Sequence, residues 1–525
     1  MSAEFDSTRA KEPQASSLKA AEPPGRELLV LGLDVGSSSV KALVLDGAGE
    51  VLECRSAAHA LTPTPGAVEA DPRGWWEAVL AAIGQLDTPL DEIAAIGLSG
   101  NMSSVVLLDG DGAPLRPAPL LADPRGGAEL DALPTDVRAA LAERSRNPVN
   151  AISSLASLLW LRDHDAAAFA RARAWVSAKD WIRLRLTGEL CSDSTDAHNA
   201  LVHDPATGDW DRELIARVGL DPALFPPLRD GGASGGALTA EAAALTGLPA
   251  GIPVAVGGGD MATAALGAGA SQPGTLALSL GTSVTAIAPL GAAGADAFAD
   301  DWRGKLTLHP LPGGRGAFAL ASLLTGGLAL NWLRALCGGQ VPELPRGDGV
   351  VPDPAHELIF VPQLSGAGSP AFAPELRGAL LGLTPHTGGA DIALALFEAI
   401  AFELAEIVAL VGPGSVDRIV ATGGGANIDA WVQTLADVLA TPVELLACND
   451  VSAIGAALLA REALGQPLPP ALAGRVARRV EPRPEHAGAW QARAARYREA
   501  RALALAYARL PQPPSSEARP GGATP

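Results

Sequence analysis

The sequence predicts an α/β protein of two domains. Its 525 residues are too many for one hydrophobic core, and chains of this length usually divide into two domains of comparable size. Short apolar runs bounded by glycine alternate with longer segments that have apolar residues at helical spacing, which indicates a mixed fold. A glycine–hydroxyl turn between two apolar runs occurs twice, at 34–39 and at 279–283. Each domain is therefore expected to begin with a similar hairpin.

The composition narrows the classes of partner. Hydrophobic residues make up 48% of the chain and charged residues 18%, which is typical of a globular protein. A net charge of -19 argues against non-specific binding of nucleic acid or of an anionic membrane, although a nucleotide could still bind through main-chain N–H groups and a metal ion. The start of the chain lacks the apolar core of a signal peptide, and the four scattered cysteines are typical of free thiols. We expect a cytoplasmic protein with no nucleic-acid or membrane partner.

The first half begins with three apolar runs, at 28–34, 40–46 and 51–57, joined by short turns that contain glycine. This pattern predicts an antiparallel meander. "DPRGWWEAVLAAIGQL" then predicts a helix, "IAAIGLSG" a buried strand, and "AISSLASLLWLRDHDAAAFARA" further helical structure.

The second half repeats the opening pattern. "GTLALSLGTSVTAIAPL", at 274–290, predicts a second hairpin, and "IVATGGGANIDAWVQTLADVL", at 419–439, predicts a strand, a glycine-rich turn and a helix. The apolar stretch at 391–411 contains three glutamates, so it predicts a largely buried helix rather than a transmembrane span.

The two turns have the chemistry of phosphate sites. The first hairpin tip consists of Gly36, Ser37 and Ser38, and the second of Gly281, Thr282 and Ser283. Main-chain N–H groups that point the same way at such a tip bind phosphate oxygens, and the hydroxyls add donors. One tip alone is more often only a turn, but two matching tips and a separate glycine-rich turn favour a clamp on a polyphosphate. The chain has no GxxxxGK[ST] motif, and its GGG does not extend to GxGxxG.

Three charged residues near these turns have alternative interpretations. Asp34 could stabilise the turn or bind a phosphate-associated Mg²⁺ through water. Lys41 could neutralise phosphate charge or be an ordinary exposed lysine. Asp260, in "VAVGGGDMATAALG", could cap the following helix, or it could stand at a strand end and take a proton from a substrate hydroxyl.

Taken in order, these segments resemble the FGGY family of carbohydrate kinases, from about residue 28 to residue 470. "LGLDVGSSSVKALVLD" and "LALSLGTSVTA" are similar to the two phosphate motifs of the family, and "VAVGGGDMATAALG" to the segment with its catalytic Asp. "FVPQLSGAGSPAFAPELRGALLGLTPHT" and "ATGGGANIDAWVQTLADVLATPVE" resemble a family signature and its adenine-binding turn. The resemblance implies two ribonuclease-H-like domains of the actin/Hsp70 ATPase type around an ATP cleft.

The resemblance also implies site residues. Asp260 is expected to be the general base, and Asp34 a residue of the Mg²⁺ site. The residues expected to contact ATP are Gly36, Ser37, Ser38, Gly281, Thr282, Ser283, Gly327, Asn331, Gly424, Gly425 and Asn427.

The expected sugar site departs from the pattern of the xylulokinase-like branch, which the chain resembles overall. The substrate-binding residues expected from the resemblance are Asn101, Met102, Ser103, Asp123, Arg125 and Asp260. Ser103 stands where those enzymes have His, Ala122 where they have Asn, and Met261 where Asn or Gln is common. "SGAGSP" also lacks the Glu-Arg of the family signature. These differences indicate a substrate other than D-xylulose, or a weakened enzyme.

The resulting expectation is an ATP-dependent, xylulokinase-like kinase of a small sugar or polyol, with Mg²⁺ as cofactor; a homodimer is compatible with the sequence. The alternative is a degenerate kinase that binds sugar and ATP without catalysis. The expected organisation is a disordered tail (1–26), an N-terminal domain with the sugar site, first phosphate motif and catalytic Asp (27–270), an ATP-binding C-terminal domain (271–470), a C-terminal helical extension (471–509) and a second disordered tail (510–525).

Overall fold

The computed structural model describes residues 28–510, apart from 63–64, 341–342, 347–348, 413–414, 467 and 469–474. The two segments expected to be disordered tails lie outside the described residues, except for residue 510. Within the described ranges the mixed α/β prediction is confirmed, because two seven-stranded sheets are each covered by helices. No helix in these ranges combines the length and the apolar character needed to cross a membrane.

The elements of the first half follow in chain order. They are β1 (Leu29–Val35), β2 (Ser39–Leu45), β3 (Val51–Ala58), β4 (Leu61–Thr62), β5 (Glu69–Ala70), α1 (Pro72–Ile83), β6 (Ile93–Gly100), β7 (Val106–Leu108), β8 (Ala118–Pro119), α2 (Gly127–Asp131), α3 (Thr135–Ser145), α4 (Ser154–His164), α5 (Ala166–Arg171), β9 (Ala174–Val176), α6 (Ala178–Thr187), α7 (Ser194–His198), β10 (His203–Asp204), β11 (Asp209–Trp210), α8 (Arg212–Arg217), β12 (Ser234–Ala237), α9 (Ala240–Thr246), β13 (Pro253–Ala255), β14 (Gly258–Gly259) and α10 (Asp260–Gly267).

The elements of the second half complete the described chain. They are β15 (Gly274–Leu280), β16 (Val284–Gly291), β17 (Thr307–Pro310), β18 (Ala317–Leu323), α11 (Gly327–Leu336), β19 (Ile359–Val361), β20 (Ala379–Leu381), α12 (Gly389–Val411), β21 (Val416–Thr422), α13 (Asp429–Leu439), β22 (Val443–Leu446), α14 (Val451–Ala463), β23 (Val476–Val480) and α15 (Ala487–Ala508).

The two large sheets share one topology. In the first, the antiparallel meander β3–β2–β1 continues into β6 and β13, which run parallel to β1. In the second, β18–β16–β15 are antiparallel, and β21 and β22 continue the sheet parallel to β15. This is the ribonuclease-H-like strand order that was expected, and it confirms the predicted meander and the repeated hairpin.

Each half of the chain contributes one helix to the sheet of the other half. Helix α14 packs on β1 and β6, where a Cβ at Gly32 or Gly97 would overlap the carbonyl oxygen of Ala453 or Ala456. Helix α10 contributes small apolar residues to a cluster with β15, β16 and β21 of the second sheet. The two helices also cross each other closely, because Gly455 packs against the main chain of Thr263. The absence of side chains at these glycines is what permits such close packing.

The segment after α14 differs in part from the expected helical extension of 471–509. Val476–Val480 forms an edge strand antiparallel to β22, which satisfies main-chain groups that β22 would otherwise leave open. The segment is helical over Ala487–Ala508, and this helix docks on α12 through the hydroxyl of Tyr497, which donates to Glu403 at 2.9 Å.

Candidate active site

The first hairpin tip connects β1 and β2 and is open to solvent. Gly36 N–H donates to Ser39 O at 3.0 Å, which closes the turn, while Ser37 and Ser38 are exposed. The ring Nε2 of His59 lies 3.0 Å from the carbonyl oxygen of Gly36 and supports the tip from behind. The two serine hydroxyls are therefore available to a ligand.

The second hairpin tip is one residue shorter than the first and is also joined to a helix. Gly281 N–H donates to Ser283 O at 3.0 Å, and Thr282 and Ser283 are exposed. The first turn of α11 donates back to the tip, from Gly327 N–H to Gly281 O at 2.8 Å and from Leu328 N–H to Thr282 O at 2.9 Å. The helix N-terminus, which favours anions, thus lies against the tip.

The glycine turn after β21, residues 423–427, also lies next to the second hairpin tip. A Cβ at Gly425 would lie 2.8 Å from the Cβ of Leu280, the residue before the second tip, and 2.7 Å from the Trp431 ring. Gly424 is exposed, with open space where a side chain would stand, and Asn427 is exposed beside it. The second tip, the start of α11 and this turn therefore converge, and Asn331 lies exposed on the next turn of α11.

Asp260 is the first residue of α10 and does not cap it. The N-cap position is occupied by Gly259, and no side chain caps the helix. The capping alternative for Asp260 is therefore wrong. One carboxylate oxygen, Oδ1, accepts from the N–H of Met261 at 2.9 Å, and the main-chain oxygen of Asp260 accepts from Thr263 Oγ1 at 3.1 Å and from Ser452 Oγ at 3.2 Å.

Burial and two neighbouring carboxylates disfavour the ionised form of Asp260. Burial is the largest cause that raises its pKa to about 7, and the charges of Asp34 and Asp196 add to this effect. The N–H groups of Met261 and Met102 act in the opposite direction. Burial also raises the pKa of Asp34, although the hydrogen bond from Ser99 lowers it. This arrangement is typical of a proton-transfer group, because a carboxyl with a pKa near neutrality can accept a proton under physiological conditions.

The Asp34 carboxylate could bind a metal ion whose other ligands are phosphate oxygens and water. No cluster of three or more His, Cys, Asp or Glu side chains able to hold a metal occurs in the described part of the chain. Mg²⁺ is commonly bound by one or two carboxylates together with phosphate oxygens and water. Asp34, at the end of the strand that leads to the first tip, could supply one such carboxylate, and a cation there would offset its repulsion with Asp260.

Lys41 forms an ion pair with a carboxylate from the second half of the chain. Its Nζ lies 2.6 Å from Asp450 Oδ1, just before α14, and both side chains are about one-third exposed. Lys41 also lies opposite Asp34 in the β1–β2 register. Its ammonium group therefore links the first hairpin to the helix that covers the first sheet.

The expected sugar-site segment 101–103 reaches the Gly259–Asp260 turn through Met102. Asn101 donates through Nδ2 to Val35 O at 2.9 Å, and the buried side chain of Met102 packs against Gly259, where a Cβ would lie 2.6 Å from its Cγ. Ser103 is buried and has a left-handed backbone conformation, with φ of 62°. The segment 101–103 therefore turns sharply next to the candidate base.

Asp123 and Arg125 are paired with each other. Arg125 Nε donates to Asp123 Oδ1 at 2.9 Å, and Arg125 Nη2 lies 2.5 Å from Glu69 Oε1. The guanidinium group stacks over Trp160 at 3.9 Å from the ring centroid. The pair is thus held in a partly buried ion network, and the described contacts do not join it to Asp260.

The structure adds residues that were not predicted. Ser99, Thr263, Thr195 and Asp196 all lie against Asp34 or the Gly259–Asp260 turn. In the sequence, Ser99 and Thr263 are ordinary hydroxyl residues of a predicted strand and a predicted helix, and nothing in the sequence indicates that they contact Asp34 or each other. Asp196 lies in "CSDSTDA", far from residue 260 in sequence, so no local pattern indicated the contact.

Comparisons with known proteins agree with this architecture. Residues 29–267 match the sequence model of the N-terminal domain of the FGGY family of carbohydrate kinases, and residues 276–464 match that of its C-terminal domain. The chain is 32% identical to a xylulose kinase from Klebsiella pneumoniae over 446 aligned residues. The alignment covers 83% of this chain and 90% of that protein. It is 33% identical to a xylulose kinase from Streptomyces rubiginosus over 470 aligned residues, and this alignment covers 87% of this chain and 92% of that protein.

Solved structures give the same result. A xyloylose kinase from Brucella ovis superposes with a TM-score of 0.82 at 30% identity, over 91% of this chain and all of that one. A xylulose kinase from Rhodospirillum rubrum superposes with a TM-score of 0.80 at 30% identity, over 91% and 99%. With both domain models matched, two repeated sheets and the hairpin tips in place, the chain belongs to the FGGY family of carbohydrate kinases and is xylulokinase-like.

Proposed function

We propose that the protein transfers the γ-phosphoryl group of ATP to a hydroxyl of a small sugar or polyol, of the pentulose or hexulose type, with Asp260 as general base. The observation that carries this proposal is the position of Asp260. It begins a helix without capping it, lies beside Asp34 and Met102, and has a pKa raised to about 7.

The nucleotide would be held between the two hairpin tips. Two exposed residues with hydroxyl side chains follow the glycine of each tip, Ser37 and Ser38 in the first and Thr282 and Ser283 in the second. Their hydroxyls and main-chain N–H groups could bind phosphate oxygens, which supports a phosphate clamp. Gly327 and Asn331 of α11, together with Gly424, Gly425 and Asn427, would contact the rest of ATP. Bound Mg-ATP would supply the transferable phosphoryl group, and Asp34 would hold the metal ion, through water.

Asp260 would act on the acceptor hydroxyl. In its ionised form the carboxylate accepts the hydroxyl proton as the oxygen attacks, which is the role of a catalytic aspartate in phosphoryl transfer. Asn101, Met102 and Ser103, next to the Asp260 turn, would orient the sugar. Asp123 and Arg125 remain proposed sugar contacts, and their ion network with Glu69 would keep them in a fixed orientation.

The identity of the sugar is approached from two directions. The relatives are named xylulose kinases, which favours a ketose. Ser103 and Ala122, however, are smaller than the residues expected in xylulokinases, which favours a larger or less hydroxylated substrate. The same two positions support the second candidate, a protein that binds sugar and ATP without catalysis, but the environment of Asp260 argues against it.

The deciding experiment is Asp260→Asn, assayed for phosphotransfer across a panel of ketoses and polyols, with ATP affinity measured calorimetrically. Removing a general base typically lowers the rate by about 10² to 10⁴, whereas ATP affinity should change little. The control is Asp87→Asn, because this side chain is 87% exposed. Near-native turnover of Asp260→Asn would refute the assignment, and a native protein inactive on the whole panel would favour the noncatalytic alternative.

A further inference from the structure

The main chain just before Asp260 is held by a side chain from a distant helix. Gly259 N–H donates to Thr195 Oγ1 at 2.7 Å, and both residues are buried. Gly259 also pairs with Gly100 at the end of β6. The strand–helix junction that presents Asp260 is thus fixed from the sheet on one side and from α7 on the other.

The hydroxyl of Thr195 has a defined direction. It lies 2.5 Å from Asp193 Oδ2, and the N–H of Thr195 donates to the same oxygen at 2.8 Å. A hydroxyl has a single proton, and a carboxylate can only accept. The proton of Thr195 therefore points to Asp193, and a lone pair is left for Gly259 N–H.

Asp193 is itself anchored by a buried cation. Lys179 Nζ lies 2.8 Å from Asp193 Oδ1, 2.8 Å from Asp180 Oδ1 and 2.9 Å from Asp196 Oδ2, and its side chain is fully buried. A charged group in such a place is tolerated only when its partners satisfy it in a fixed geometry. The hydroxyl of Thr195 therefore donates to a carboxylate that belongs to a buried ion cluster.

The Gly259 main chain has little freedom to relax around this bond. A Cβ at Gly259 would lie 2.6 Å from Met102 Cγ and 3.4 Å from Asp196 Oδ1. The glycine is thus enclosed between the expected sugar-site segment and the ion cluster. A change in its one N–H contact would be transmitted to Asp260.

We propose that Thr195 is a positioning residue of the phosphotransfer reaction: its hydroxyl, oriented by Asp193, fixes the Gly259 main chain and so the direction from which the Asp260 carboxylate meets the acceptor hydroxyl. The inference rests on the proposed role of Asp260 as general base. In this role Thr195 contacts neither substrate nor ATP. Removing its hydroxyl should therefore lower kcat and leave the affinities for sugar and ATP nearly unchanged.

The test compares Thr195→Val, which keeps the shape and removes the hydroxyl, with Thr195→Ser, which keeps the hydroxyl. A misplacement of about 1 Å at a reacting group can cost about 10²-fold in rate, so we expect Thr195→Val to lower kcat by about 10- to 100-fold. The sugar KM and the calorimetric affinity for ATP should remain within about threefold of native, since only the reacting geometry changes. Thr195→Ser should restore kcat to near the native value.

Each other outcome overturns the inference. Native kcat in Thr195→Val, or an equal loss in the Ser variant, would show that the hydroxyl does not position the base. If Thr195→Val does not fold, Thr195→Ala removes the same hydroxyl with less bulk, and failure of both to give folded, ATP-binding protein assigns Thr195 to stability alone. Asp260→Asn, measured in parallel, separates the two proposals, because its near-native turnover would refute the general base irrespective of Thr195.

Discussion

The hydroxyl of Ser99 lies 2.8 Å from Asp34 Oδ1 and 2.8 Å from Thr263 Oγ1. Asp34 leads into the first hairpin tip, and Thr263 lies in the first turn of the helix that begins with Asp260. One buried hydroxyl therefore connects the proposed metal carboxylate to the helix of the proposed base. It is the group that stabilises the ionised form of Asp34 most.

Replacing Ser99 with Ala should weaken the metal site. Without this hydrogen bond the pKa of Asp34 rises further, so less of the carboxylate is ionised and available to a cation. Hydrogen bonds to charged groups contribute about 1.5–3 kcal/mol, so the Mg²⁺ concentration for half-maximal activity should increase about tenfold. The measurement is a Mg²⁺ titration at saturating sugar and ATP, with the exposed Ser56→Ala as control. An unchanged Mg²⁺ requirement would contradict the role of Asp34.

A side chain at Gly281 should obstruct the phosphates without damaging the fold. The nearest atom to a Cβ at Gly281 is Ser283 O at 3.5 Å, an ordinary contact, so Gly281→Val should fold. Calorimetry should show a clear loss of nucleotide affinity, because the ligand can no longer approach the main chain. Gly110→Val is the control, since no atom lies within 4 Å of a Cβ at that glycine. Native affinity in a folded Gly281 variant would exclude the two-tip clamp.

The activity should depend on pH through Asp260. Because the pKa of Asp260, the proposed base, is raised to about 7, its carboxylate is ionised above that pH and progressively protonated below it. The acidic limb of kcat/KM should therefore fall about tenfold per pH unit below about pH 7. ATP affinity measured over the same range serves as the control for unfolding or loss of binding. An acidic limb near the usual carboxyl range, around 3.8, would contradict the effect of burial and of Asp34.

D-xylulose is expected not to be the best substrate. Ser103 and Ala122 offer fewer hydrogen bonds than the His and Asn expected in xylulokinases, and each lost bond costs roughly 0.5–1.5 kcal/mol. Two lost bonds correspond to about one to two orders of magnitude in kcat/KM, at about 1.4 kcal/mol per tenfold. The measurement compares kcat/KM for D-xylulose with hexuloses, substituted sugars and polyols.

A substitution at Ser103 tests the specificity prediction directly. Ser103 has a left-handed backbone, which His tolerates better than most residues, so Ser103→His is a reasonable replacement there. This variant should have a higher kcat/KM for D-xylulose, relative to that for the preferred substrate, than the native protein has. If the native protein already favours D-xylulose clearly, other groups replace the missing donors, and the interpretation of Ser103 and Ala122 is wrong.

The parts of the fold that could be predicted are those written in local patterns. Gly36 and Gly281 each lie between two apolar runs, and this spacing was enough to place both hairpins. The apolar runs of β1 to β3 and the long apolar run of α12 were equally local. The strand Val476–Val480 was not recognised, because its partner β22 is distant in sequence and its own residues are mostly exposed.

The supports of the site could not be predicted. Whether Asp260 capped α10 or began it depended on a shift of one residue, which sequence patterns do not resolve. Lys41 and Asp450 come from opposite ends of the described chain, and so do Gly97 and Ala456. Such contacts arise only when both sheets are assembled.

The exchange of α10 and α14 between the two sheets has a consequence for how the protein is made. When the ribosome has released only the first half of the chain, the face of β1 and β6 with Gly32 and Gly97 lacks α14, the helix that packs on it in the described structure. That face closes only after α14, which is nearly 200 residues downstream of α10, has emerged. The first half thus completes its folding last, and a fragment that ends before Val451 would expose the apolar face on which chaperones and aggregation act.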